Sequence, residues 1–219
     1  GCDDSWLRGA TLPLVATPDA AELQLMTTLD AQPGSEACLV YHPRQLAIGV
    51  GCARGTDPDE IHALINTTLE EAGLSAQAVA GLFSVHHKTD EQGLHDVAER
   101  LGVPCRFFSP ERLEQERERL ENPSARVFAE VGCHGVAEGA ALAAAGDDGQ
   151  LRLAKRKTAN ATCAIGLAAS PIDVMALGQA RGQLHVVGVG PGAKQFRTPA
   201  ASAAIRQADD VVGYGLYLD

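Results

Sequence analysis

The sequence predicts an α/β fold in which a three-layer, mainly parallel sheet is followed by the start of a second βαβ unit. Apolar strands alternate with amphipathic helices between residues 46 and 168, and glycine turns follow several of these strands. A further strand, glycine turn and helix start at Leu184. Strands that alternate with helices at this spacing favour parallel pairing, with helices on both faces of the sheet. We therefore predict a linker or the tail of a preceding domain at 1–45, a main domain at 46–175 and a domain fragment at 184–219.

The residues before the main domain show little regular pattern. Prolines recur through this region, and the only short apolar run with the character of a strand covers 37–41. Proline clusters interrupt helices and strands, so this composition is typical of a linker.

The first half of the main domain shows three strands and two helices. The first helix is predicted from a Thr56 cap, Pro58 in the first turn and a Gly73 stop, and its apolar residues have helical spacing. The second helix is predicted to end at Gly102. The predicted strands cover 46–51, 82–86 and 105–108.

The second half begins with a very polar segment at 110–120, which we interpret as a helix with a solvated face of paired charges. A strand is predicted at 126–131, before the glycine turn 132–135. An alanine-rich helix is predicted at 136–145. Its small side chains would permit close packing. A final pair of strands is predicted at 151–155 and 162–168.

The charge balance and cysteine spacing exclude several classes of protein. The 28 acidic and 18 basic residues give a net charge of −10, which disfavours nucleic acid and anionic membranes as partners. No apolar run approaches the ~20 residues that span a bilayer, so we expect a cytoplasmic protein. The six cysteines contain no C-x-x-C pair. Cys52, Cys133 and His134 would bind a metal only if their turns met, and we predict packed thiols and no metal site instead.

The polar residues of the main domain collect after predicted strands, where ligands of parallel sheets bind. We predict that these residues bind a ligand rich in carboxylates, although Arg54 and Lys88 could instead form surface ion pairs. The catalytic residue is not identified, and the candidates are His87, Glu91 and Glu138. The predicted binding residues are Gly51, Arg54, Thr56, Ser84, Lys88, Gly132, His134 and Lys155.

The C-terminal segment resembles the start of the cobalamin-pathway methyltransferases that use S-adenosylmethionine, specifically precorrin-3B C(17)-methyltransferase. The matching residues are the turn 187–192, Thr198-Pro199, 211–214 and 217–219. The alternative is any βαβ unit with a tight glycine turn. The resemblance implies that a complete domain would bind S-adenosylmethionine, whereas this fragment is expected to bind no cofactor and to methylate nothing. The cofactor-binding residues that it implies are Gly188, Gly190, Pro191 and Gly192.

Three motifs that follow predicted strands, at 49–56, 84–91 and 132–138, resemble in this order the family that comprises CobE and the C-terminal domain of CbiG. The resemblance covers 46–169, and the turn 133–135 is closer to CobE. It implies corrin-ring metabolism, a precorrin or corrinoid intermediate as ligand, and other cobalamin-pathway enzymes as partners. CbiG opens the lactone of cobalt-precorrin-5A and releases acetaldehyde, whereas CobE has no assigned reaction. We therefore expect a corrinoid-binding accessory domain fused to the methyltransferase, with lactone hydrolysis as the alternative.

Overall fold

The structure, a computed structural model, describes residues 21–182, 184–190, 194–208 and 210–213. It divides into two compact units, Gly1–Arg181 and Gly182–Asp219. Among these described residues, no helix is both long and apolar enough to cross a membrane. The first unit begins with strands β1 (Gln24–Thr27) and β2 (Cys38–Tyr41), which pair in parallel. The prediction for this region included a strand near β2 but not β1.

The main sheet has five strands in the order β5-β4-β3-β7-β6. Strands β3, β4 and β5 pair in parallel, whereas β7 is antiparallel to both β3 and β6. The sheet is therefore mostly parallel, as predicted, and the single reversed strand β7 makes it mixed. The reason is the short connection at 158–160 between β6 and β7, since a short connection permits only antiparallel pairing. The strands are β3 (Leu46–Cys52), β4 (Val79–Val85), β5 (Cys105–Phe108), β6 (Gln150–Lys157) and β7 (Ala161–Leu167).

Helices cover both faces of this sheet, as the three-layer prediction requires. On one face, α1 (Pro58–Glu71) and α2 (Gln92–Leu101) pack on Ile48 and Val50. On the other face lies a third helix, at Val136–Ala145, which is the last of the first unit and is called α5 below. It approaches the sheet so closely that a Cβ atom at Gly49 would lie 1.9 Å from the carbonyl oxygen of Ala137.

The segment between β5 and α5 departs most from the sequence prediction. The polar helix is only α3 (Pro110–Glu114), followed by a 3-10 turn at Arg117–Arg119. Its charges are not all solvated, because buried Glu116 binds Arg112 and Arg119, each at 2.6 Å.

The strand predicted at 126–131 is wrong, because these residues form helix α4 (Ala125–Val131). The Ser124 hydroxyl caps this helix by accepting a hydrogen bond from the amide of Val127, at 3.3 Å. Gly132 ends the helix with a φ of +87°, a left-handed conformation that favours glycine. A short apolar run does not by itself distinguish a strand from a helix, and here the two caps decide.

The end of the first unit lies along the outer edge of β5. Phe107 and Gln179 exchange two backbone hydrogen bonds of 2.8 Å. The Arg106 guanidinium donates to the carbonyl oxygens of Leu177, Met175 and Gly178 at 2.7, 3.0 and 3.2 Å. These contacts extend the packed part of this unit beyond residue 175.

The second unit contains one α-helix in its described part, α6 (Pro199–Gln207). The predicted helix start is confirmed, since the Thr198 side chain accepts a hydrogen bond from the amide of Ala201. The strands predicted on either side of it are not seen at 184–190 or at 210–213, and 214–219 lie outside the described residues. The described part of this unit therefore supports the helix but not a complete βαβ start.

Candidate functional site

The motifs at 49–56, 84–91 and 132–138 converge at one edge of the sheet, which we call the carboxyl edge because β3, β4 and β5 end there. Strand β6 also ends at this edge, since β7 is antiparallel to both β3 and β6. Helix α5 begins there as well, because a Cβ atom at Gly51 would lie 3.4 Å from the Cβ of Val136. The hydroxyl of Thr162 donates to the carbonyl oxygen of Gly51 at 3.1 Å, which joins β7 to the same site.

Arg54 bridges the loops that follow β3 and β4. One guanidinium nitrogen lies 2.9 Å from the Asp90 carboxylate, and another donates to the carbonyl oxygen of His87 at 3.3 Å. The hydrogen bond from Arg54 lowers the pKa of Asp90, and it also raises the pKa of Arg54. Both side chains are 66% exposed, so this pair contributes little to stability. Arg54 thus forms a surface ion pair, the alternative considered from the sequence, and its partner is Asp90.

Glu91 also joins the loops that follow β3 and β4. One carboxylate oxygen accepts a hydrogen bond from the amide of Gly55 at 2.9 Å, and the other lies 3.8 Å from the Lys88 ammonium. The side chains of Glu91 and Lys88 are only 8% and 16% exposed. Glu91 therefore acts as a loop anchor, while its neighbour His87 is exposed at the edge.

The two predicted hydroxyl ligands face the protein rather than the edge. Thr56 donates to the carbonyl oxygen of Ala53 at 2.9 Å, and the fully buried Ser84 donates to that of Val50 at 2.7 Å. The Thr56 hydroxyl thus stabilises its own turn, and the Ser84 hydroxyl links β4 to β3.

Glu138 is also an anchor, although it was a candidate base. It is 1% exposed and accepts hydrogen bonds from the amide and side chain of Asn122 and from the amide of Lys155, at 2.9, 2.7 and 2.9 Å. The Lys155 ammonium donates in turn to the carbonyl oxygen of Asn122 at 3.1 Å. Burial raises the pKa of Glu138, but these donors outweigh it, and the net pKa lies below its ordinary value. This carboxylate joins α5, β6 and the loop before α4.

His134 is held by a carboxylate that the sequence analysis did not single out. Its ring Nδ1 lies 2.8 and 3.0 Å from the two Glu114 oxygens, and its amide donates to Glu114 at 2.9 Å. Its ring stacks on Phe128 with a centroid separation of 4.5 Å. Burial raises the pKa of Glu114, but the hydrogen bonds from His134 outweigh this effect, and the net pKa is lowered.

A cavity of about 450 Å³ opens beside the His134 ring. It lies between the 3-10 turn, the start of α4 and the loop before α5. Its walls combine charged and apolar side chains, which suits a ligand with both characters. The lining residues are Arg117, Glu118, Leu120, Pro123, Ala125 and His134.

The cysteines do not assemble a metal centre in the part of the chain that the structure describes, where no three His, Cys, Asp or Glu side chains lie close enough to share an ion. Burial raises the pKa of the Cys52 thiol to about 11, and it also raises that of Cys133. Both thiols are therefore protonated near neutral pH. Of the residues expected to bind S-adenosylmethionine, Gly188 and Gly190 lie in irregular segments, and Pro191 and Gly192 lie outside the described residues.

Sequence reasoning missed Glu114, Asp90, Asn122 and Phe128. Glu114 stands in a run of charges and meets His134 from twenty positions away, so no local spacing indicates the pair. Phe128 belongs to the segment whose secondary structure was wrongly predicted, and Asn122 lies in the loop before it. Asp90 lies within the motif at 84–91, but no local spacing indicates its contact with Arg54, which depends on the pairing of β4 with β3.

Comparison with known proteins agrees with this architecture. Cobalt-precorrin-5A hydrolase of Priestia megaterium is 38% identical over 158 residues, which are 70% of this chain and 41% of the hydrolase. Protein CobE of a Sinorhizobium species is 40% identical over 120 residues, which are 55% of this chain and 78% of CobE. The chain thus spans less than half of the hydrolase and most of CobE.

A crystal structure of CobE, a protein from the cobalamin (vitamin B12) biosynthetic pathway, superposes with a TM-score of 0.54 at 38% identity. The superposition covers 56% of this chain and 89% of CobE. A model of the family described as "Cobalamin synthesis G C-terminus" matches residues 46–166. This match includes β3, all helices from α1 to α5 and most of β7. The chain therefore belongs to the family of the cobalamin synthesis G C-terminus.

Proposed function

We propose that this chain binds a corrin-ring intermediate of cobalamin biosynthesis at the carboxyl edge of its main sheet. The observation that carries the proposal is the cavity beside His134, which lies within the region that matches the family. Corrin intermediates carry acetate and propionate groups around an apolar ring. The exposed guanidinium of Arg117 suits such a carboxylate, and Leu120 and Pro123 suit the ring.

Absorbance titration with hydrogenobyrinic acid tests this proposal, because binding shifts the visible bands of the ring. Arg117→Ala should weaken binding by about 1.5–3 kcal/mol if its hydrogen bond to the ligand is shielded from water. Arg126→Ala is the matched control, because this arginine is 87% exposed and does not line the cavity. A folded protein that causes no shift at any accessible concentration would contradict the proposal.

A second candidate function is hydrolysis of the lactone of cobalt-precorrin-5A. It is favoured by the match to the hydrolase, which extends over 158 residues and therefore beyond the family region at 46–166. Incubation of the chain with cobalt-precorrin-5A should then release acetaldehyde. Binding without acetaldehyde would support the accessory role instead.

The second unit supports a further part of the proposal, namely that the chain continues into a precorrin-3B C(17)-methyltransferase. The capped helix α6 and the motif residues around it carry this inference. Methyl transfer requires a complete cleft that holds donor and acceptor in line. An extended protein should therefore methylate precorrin-3B from S-adenosylmethionine, whereas the 219-residue chain should not. Methylation by the shorter chain would contradict this assignment.

A further inference from the structure

We propose that His134, oriented by Glu114, is the general base that activates water for ester hydrolysis in the adjacent cavity. This inference rests on the proposed binding of a corrin intermediate and assigns the hydrolytic step to a specific side chain. It replaces the three candidates that the sequence suggested.

Three contacts fix the orientation of the His134 ring. Glu114 accepts hydrogen bonds from both the ring Nδ1 and the backbone amide, and Phe128 stacks on one face of the ring. The side chain is only 16% exposed. A base held in this way loses little conformational entropy when a substrate binds, which is the arrangement that acid–base catalysis requires.

The contact with Glu114 also selects the tautomer. Because Nδ1 donates its proton to the carboxylate, the lone pair of the neutral ring lies on Nε2. Within the described ranges, no protein group forms a hydrogen bond with Nε2, and this atom is not among the buried polar atoms that lack a partner. Nε2 is therefore the ring nitrogen that no described protein group occupies, on a residue that lines the cavity.

The other candidates are less suited to this role. The carboxylates of Glu91 and Glu138 are buried and accept hydrogen bonds from backbone amides. His87 is exposed, and among the described residues Arg54 binds its carbonyl oxygen rather than its ring. The ring of His95 is already bound, through Nε2, to the carbonyl oxygen of Thr89.

The proposed hydrolysis uses only water, the lactone and the His134 side chain. Nε2 of His134 takes a proton from water, and the resulting hydroxide adds to the lactone carbonyl to give a tetrahedral intermediate. The intermediate collapses, the bond between the acyl carbon and the ring oxygen breaks, and the alkoxide takes the proton back from Nε2. Ester and water thus become a carboxylic acid and an alcohol, and Glu114 stabilises the imidazolium that exists between the two transfers.

The test compares wild-type protein with His134→Asn, Glu114→Gln and the control His62→Asn on cobalt-precorrin-5A. Asparagine keeps the donor that faces Glu114 but removes the base. We expect its kcat to fall by about 10²–10⁴-fold, with binding of the corrinoid unchanged within about threefold. His62 lies on α1 outside the cavity, and its replacement should leave kcat unchanged.

Glu114 is a positioning residue, so its variant is assessed by a pH profile. The charged groups around His134 are Glu114 from α3 and Arg117 and Glu118 from the following turn. Removal of the Glu114 charge destabilises the imidazolium, so the acidic limb of kcat/KM should move to lower pH. A purely structural role would lower the folded fraction, measured by thermal unfolding, without moving this limb.

Each outcome has a definite meaning. Corrinoid binding without hydrolysis by the wild type would overturn this inference and leave the proposed binding intact. Hydrolysis at an unchanged kcat in His134→Asn would also overturn it. Absence of binding by the folded wild type would overturn the proposed function and this inference together. If His134→Asn does not fold, an unmoved pH profile in Glu114→Gln would overturn the inference.

Discussion

The carboxylate of Glu91 accepts a hydrogen bond from the amide of Gly55 at 2.9 Å and thereby joins the loop after β3 to the N-terminus of α2. The same carboxylate faces Lys88, so its charge is compensated within a buried site. Two loops of the carboxyl edge therefore share one anchor, and the shape of this edge depends on it.

Replacement of Glu91 should destabilise the folded protein. Glu91→Ala leaves the Gly55 amide without its acceptor and Lys88 without its partner, so we expect a loss of about 1–3 kcal/mol in the free energy of unfolding. Urea denaturation measures this loss. Glu99→Ala, an exposed position on the same helix, is the control. Equal stability of the two variants would show that the anchor has no energetic role.

Glu138 should make stability dependent on pH in the acid range. Its folded-state pKa lies below its ordinary value, so the stabilisation is fully present above the unfolded-state pKa and is lost as pH falls through the folded-state pKa. Glu138→Gln should therefore be less stable than wild type at pH 7, and the difference should shrink below about pH 4. Chemical denaturation at several pH values tests this, and a constant difference would contradict it.

Gly49 should not tolerate a side chain. A Cβ atom would lie 1.9 Å from the carbonyl oxygen of Ala137, so Gly49→Ala must push α5 away from the sheet. We expect a loss of about 1–3 kcal/mol or more, measured by thermal unfolding. The control is Gly139→Ala, which lies on α5 itself. Its Cβ would lie at an ordinary 3.4 Å from Leu113, and alanine favours helix. A wild-type melting temperature for Gly49→Ala would contradict the close packing.

Arg106 should determine whether the end of the first unit stays on β5. Arg106→Ala removes the donor to Leu177, Met175 and Gly178, so hydrogen exchange at the Gln179 amide should become faster. Arg152→Ala, an exposed position on β6, should leave this exchange unchanged. Unaltered exchange in Arg106→Ala would mean that the backbone bonds to Phe107 suffice.

The elements that the sequence predicts correctly have a long, regular apolar pattern. Helix α1 has Pro58 in its first turn and apolar residues at helical spacing, although its N-cap is Asp57 rather than the predicted Thr56. The strand after Gln45 is a continuous apolar run. Helix α4 was missed because its seven residues are too few for the helical period to emerge. The antiparallel direction of β7 follows from its short connection to β6, whereas its place beside β3 depends on pairing between distant residues, which local patterns do not record.

The ligand-binding role of the predicted site residues stays a prediction. The loops after β3 and β4 lie at one edge of the sheet, as the alternation of strands and helices predicts, whereas the turn at 132–135 follows helix α4 rather than the predicted strand. The roles of single residues depend on partners from other loops, as Glu114 does for His134 and Asn122 does for Glu138. A carboxylate in a sequence therefore indicates a possible general base. Only the hydrogen-bond donors that surround it in the structure show that its role is to join elements of the fold.

The bridge between Phe107 and Gln179 has a consequence for handling the protein in solution. β5 is an edge strand of the sheet, and an uncovered edge strand can pair with strands of other molecules. Residues that follow the predicted boundary at 175 occupy that position instead. A shortened protein that ends at residue 175 should aggregate in a concentration-dependent manner, whereas one that ends at residue 181 should remain monodisperse under the same conditions.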